Sequence, residues 1–151
     1  MKERSLEDGC CGSSRAKTSH PVTVPATGLL ARSIVITGED PELFSSLLQE
    51  MFDEFQPIGP VENALVETLT VSRWRQMRLW ALEGAGLNHQ IATQEEPVDP
   101  STRAAVAFRA LSDNSRSLEL LNRYESRYDR QFGRTLARLT ALRESVFSKR
   151  T

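Results

Sequence analysis

Between Ser115 and Arg150 the apolar side chains step along in threes and fours: Leu118, Leu121, Tyr124, Tyr128, Phe132, Leu136, Leu139, Leu142 and Val146. At 100° per residue they converge into one broad stripe, with Phe132 at its centre. The segment holds no proline and one glycine, Gly133, so nothing forbids an unbroken helix about 50 Å long. A helix over 115–148 is predicted. A second long helix is predicted over 61–87. Its apolar residues cover two sides, with Val66, Trp74, Met77, Ala81 and Ala85 on one and Leu65, Leu69 and Trp80 on another. Such a helix packs between neighbours, which places it mid-bundle. Gly84 and Gly86 weaken it and permit close approach of another backbone, so an end or kink is expected there.

Two shorter helices open on one device. Asp40-Pro41 and Asp99-Pro100 each supply a favoured N-cap followed by a favoured first helical residue. Over 41–55, Phe44, Leu47, Leu48, Met51, Phe52 and Phe55 share a face, and Ser45, Gln49, Asp53 and Glu54 share the opposite one. Pro57, Gly59 and Pro60 break the pattern. The helix after Asp99 runs over 100–111 through Ala104, Ala105, Ala107, Phe108 and Leu111. Arg32-Ser33-Ile34-Val35-Ile36-Thr37 is β-branched and reads as extended, packed as an arm across the helices because no partner strand exists. Residues 1–27 show no period and read as a disordered tail before one helical domain, 28–151. The fold class is therefore all-α: an antiparallel helical bundle built on a coiled-coil-like hairpin of two long helices, with two shorter ones against it.

Composition alters little in this picture. A chain of 151 residues, 39% hydrophobic and 26% charged, buries a core without disulfides or metals. Charge alters more. The net charge of −1 hides an asymmetry: residues 39–115 carry 13 acidic groups against five arginines, and residues 116–151 carry nine basic against four acidic. Arg116, Arg123, Arg127, Arg130, Arg134 and Arg138, separated by 7, 4, 3, 4 and 4 residues, form a second stripe well round the helix from the apolar one. Glu119, one turn before Arg123, and acidic residues of other helices are its expected internal partners. All six positions are Arg, whose planar fork suits phosphates and carboxylates. The whole chain has only three Lys, which weakens that argument. Tyr124 and Tyr128 lie beside this stripe, and their phase assigns them to the buried side.

The catalytic inventory is thin. Cys10 and Cys11 are adjacent in a Gly/Ser-rich stretch and make neither a disulfide framework nor a structural zinc site. His20 in the tail and His89 near a helix end have no second ligand at metal spacing. Gly84-Ala85-Gly86 lies within a helix and lacks the Lys-Ser/Thr sequel of a phosphate loop. Glu50, Asp53 and Glu54 read as a solvated face. No catalytic residue, metal ligand or cofactor is assigned, and an enzyme is not expected. The start, MKERSLEDGCCGSS, lacks the apolar stretch of a signal peptide, and no run approaches a membrane span, so a cytoplasmic protein is expected.

Gly28-Leu29-Leu30-Ala31-Arg32, followed by Gly38-Glu39-Asp40-Pro41-Glu42-Leu43-Phe44, resembles the start of a family of small uncharacterised bacterial helical proteins. Ala64-Leu65-Val66-Glu67 to Trp74-Arg75 is similar to that family's middle helix. Leu118 to Arg130, centred on Arg123-Tyr124-Glu125, is similar to its closing helix. Where the family carries a basic Lys-His-Gly segment, this chain has Pro25-Ala26-Thr27-Gly28. The resemblance spans about residues 28–143 and implies the fold and order of elements, but no activity.

The expected function is a non-enzymatic helical interaction module that engages an unidentified protein partner or a second copy of itself. The alternative, less favoured, is a nucleic-acid-associated protein using the arginine face; no membrane partner is expected.

Overall fold

The computed structural model describes residues 27–94, 99–113 and 116–148. Five helices account for them: α1 Thr27–Ile34, α2 Pro41–Phe55, α3 Gly59–Ala92, α4 Pro100–Asp113 and α5 Ser117–Ser148. Among the described residues there is no strand, and the fold is all-α.

Local chemistry sets the helix ends. Asp40 caps α2 by accepting from the Glu42 N–H at 2.8 Å, with Pro41 at the first helical position. Gln56 closes α2 in the left-handed region at φ 42°, its N–H returning to the Phe52 carbonyl. Asp99 repeats the cap at α4, accepting from the Ser101 and Thr102 N–H groups at 3.1 Å and from the Ser101 hydroxyl. Those bonds hold its carboxyl well below the ordinary aspartate range.

Three expectations need correction. Arg32, Ser33 and Ile34, expected to begin an extended arm over 32–37, instead end helix α1, and only 35–37 lie outside it. Leu30, Ala31, Ile34 and Val35 all pack on the core, a helical spacing, and an extended backbone there would have had no strand to bond with. The tail assigned to 1–27 thus gives up Thr27, and its other residues lie outside the described ones. The second correction is that α3 neither ends nor breaks at Gly84 or Gly86 but continues to Ala92, 34 residues in all. A Cβ on Gly86 would stand 3.4 Å from the Leu111 side chain, so α4 packs against α3 at this position.

The third concerns the core. Phe44, Leu48 and Phe52 of α2 meet Val66, Leu69 and Trp74 of α3 and Leu139 of α5. The Phe44 and Trp74 rings pack edge to face, 5.4 Å between centroids. Phe132 is only half-buried; Thr135 and Leu139, one to two turns on, are the buried positions among the described side chains of α5. The core therefore sits at the α2 end of the long helices, and Met77, Trp80, Ala81 and Ala85 of α3, expected inside, are exposed.

As expected, α3 is the central helix, packed against α2, α4 and α5. It buries Thr70 and Ser72, whose hydroxyls donate to the carbonyls of Val66 and Thr68 on their own helix. Small side chains satisfied this way let neighbouring helices approach. The start of α3 lies against the end of α5: Glu62 meets Arg143, and farther along Trp80 meets Glu125.

Candidate interaction surfaces

Two arginine clamps hold the frame. Arg78 of α3 donates to the last carbonyl of α1, Ile34, at 2.6 Å and to both oxygens of Glu39. Glu39 also accepts from the Ile36 N–H and the Trp74 indole, each at 3.1 Å. Arg143 of α5 donates to the last carbonyl of α2, Phe55, and to Glu62, which also accepts from the Ile58 N–H at 3.0 Å. Each arginine satisfies a helix C-terminal carbonyl while its glutamate ties down the following turn. The Glu39 carboxyl is held below its ordinary range chiefly by the Arg78 hydrogen bonds, against the opposing effect of burial. For Glu62, burial pushes upward most strongly, yet the bonds from Arg143 and Ile58 and the charge of Arg143 together leave it lowered. These four side chains organise the fold.

Away from that core, the α3–α5 seam opens. A cleft of about 540 Å³ is lined by Arg73, Gln76 and Trp80 of α3 and Glu125, Ser126, Asp129 and Phe132 of α5. Trp80 organises it. The Arg73 guanidinium lies 4.8 Å from the indole centroid, and the indole N–H donates to Glu125 at 2.7 Å. Two further clefts, of about 300 and 510 Å³, share Leu79, Glu83 and Leu121. Phe108 and Leu118 line the first; Leu82, Leu111, Leu120 and Tyr124 line the second. Around them Trp80 is 43% exposed, Leu82 51% and Phe108 55%. The cause is α4, which fully buries only Ala107 and covers this end of the seam thinly.

The arginine stripe is placed on solvent. Arg116, Arg123, Arg127, Arg130, Arg134 and Arg138 are all exposed. Arg116, at φ 52° before the first turn of α5, pairs with Glu119 at 2.7 Å, so Glu119 serves Arg116 rather than Arg123. Arg134 donates to the Arg130 carbonyl. Arg123, Arg127, Arg130 and Arg138 make no ion pair with a described residue. The acidic face of α2 does not cover them.

Tyr124 corrects another expectation: it is 43% exposed and stacks on Tyr128 with ring centroids 6.3 Å apart. Arg75 of α3 sits over Tyr128 at 5.6 Å. Sequence reasoning missed Trp80 and Phe108 as surface residues because their apolar character alone assigns them inside. His89 is exposed near the end of α3, where its carbonyl accepts the capping N–H of Thr93. Among the described residues no three His, Cys, Asp or Glu side chains cluster as metal ligands, and no helix is long and apolar enough to cross a membrane. His20, Cys10 and Cys11 lie outside the described residues.

No family model, curated protein or solved structure matches the chain.

Proposed function

We propose that the protein is a non-catalytic helical interaction module in which an antiparallel hairpin of α3 and α5 presents an apolar seat for a partner protein. The observation that carries this is the cluster of Trp80, Leu82, Phe108, Leu120 and Tyr124, large apolar side chains left on solvent around two clefts with a shared Leu79–Leu121 floor. Large exposed aromatic and aliphatic groups grouped round a concave surface mark association sites. Glu83 borders both clefts and Glu125 one of them, so the fitting partner is a helix with apolar anchors flanked by basic residues.

The test is co-purification from the native host with full-length protein, comparing wild type with Leu82→Asp and Phe108→Asp. Both sites are more than half exposed, so the variants keep the wild-type helical spectrum. The expected result is one protein retained by wild type and lost by both variants. Sedimentation of the purified protein separates a second copy from a different partner. A partner retained equally by all three proteins contradicts the assignment.

A further inference from the structure

The arginine face carries a different chemistry from the clefts and meets them at Tyr124, which lines the second cleft. From Arg123 to Arg138 the five arginines occupy a narrow arc of α5 and extend about 22 Å along it at 1.5 Å per residue. The same span holds two carboxylates, Glu125 and Asp129, and both line the cleft with Arg73 and Trp80 on another side of the helix. The arc is thus uniformly positive although the whole chain has a net charge of −1. Charge this concentrated, with no ion pair to an acid among the described residues, repels itself in the folded state, a cost that an anionic ligand removes.

The ligand's shape follows from the spacing. Successive arginines rise about 6, 4.5, 6 and 6 Å along the helix axis, whereas duplex phosphates advance about 3.4 Å per strand and curve away round their axis. A straight row with such steps follows an extended, unstacked strand more closely than a duplex. Unstacked bases need aromatic faces, and Tyr124 supplies one. It is partly exposed, three residues from Arg127, and backed by Tyr128, over which Arg75 is seated. A positive track with an aromatic platform at its edge is the chemistry of single-strand binding.

We propose that the arginine face of α5, with Tyr124 at its edge, binds the phosphate backbone and a base of single-stranded nucleic acid.

The test measures fluorescence anisotropy of a labelled oligothymidylate of about 20 nucleotides and of a duplex of the same length, titrated with full-length protein. The single strand should bind more tightly than the duplex, and its affinity should fall steeply with salt. Combining Arg127→Gln, Arg130→Gln and Arg134→Gln should make the log–log salt slope shallower by about two units, at about 0.7 per contact. Tyr124→Ala should weaken single-strand binding by about ten-fold with the slope unchanged, and Tyr124→Phe should restore it. All these positions are exposed, so melting temperatures should stay near wild type. The wild-type slope stands independently of any variant. Absence of saturable single-strand binding near physiological salt overturns the proposal. So does preference for the duplex, an unchanged slope in the triple variant, or equal arginine-dependent binding of polyglutamate, which would identify an acidic protein as the ligand.

Discussion

Arg78 and Arg143 perform the same task at two places, each capping a short helix and holding a glutamate that ties down the next turn. Because Glu39 and Glu62 titrate below their ordinary value of 4.5, their contribution is complete above that pH and lost as pH falls through the lowered values. Thermal stability should therefore drop between pH 5 and about pH 3, and Glu39→Gln with Glu62→Gln should flatten that dependence while lowering stability at pH 7. Scanning calorimetry across this range checks it; an unchanged pH profile in the double variant contradicts it. In the core, Phe52→Ala should cost about 3–5 kcal/mol, and half-buried Phe132→Ala about 1–2 kcal/mol, by urea unfolding. Equal costs would place the core at the wrong end of α5. Arg143 carried a usable signal: four residues after Leu139 it lies in the apolar stripe, where a charge needs a partner. Glu62, four before Val66, carried the same one. What the sequence concealed was their pairing, since 81 positions separate them.

At the scale of the element, the two Asp-Pro caps were legible because capping is local: the side chain that bonds the N–H lies two or three residues away. Helix α1 was not, because its β-branched end outweighed a spacing that only the presence of α2 and α3 makes meaningful. The glycines divide in the same way. A Cβ at Gly84 or Gly133 meets nothing within 4 Å, whereas at Gly86 it meets Leu111. Gly84→Ala and Gly133→Ala should each raise stability by about 0.5–1 kcal/mol, the gain from replacing a mid-helix glycine. Gly86→Ala should gain at least as much, because its added methyl meets the Leu111 side chain at van der Waals distance. Thermal melts of the three variants decide this, and a loss at Gly86 would mean that α4 lies closer to α3 there. The apolar stripe of α5 was read correctly in direction but overestimated in burial, since amphipathic phase gives the face and not how completely a neighbour covers it.

Over the whole molecule, one end is closed and the other open. Around Phe44, Phe52, Leu69 and Leu139 three helices enclose a core held by two clamps. At the α4 end, the same long helices leave Trp80, Leu82 and Phe108 on solvent, and along α5 Arg123, Arg127, Arg130 and Arg138 pair with no acid among the described residues. The charge asymmetry was plain in the sequence; that the acidic face of α2 does not cover the arginine row depends on where α2 packs, which no local pattern encodes. We propose that the clefts beside α4 seat a partner protein. The most direct test is photo-crosslinking in the native host, with a photoreactive phenylalanine analogue at position 108 and, as control, at Leu43 of α2, 61% exposed but remote from the clefts. A discrete crosslinked species at position 108 and none at 43 is the predicted result. Crosslinks of equal yield at both positions, or at 43 alone, would contradict the account.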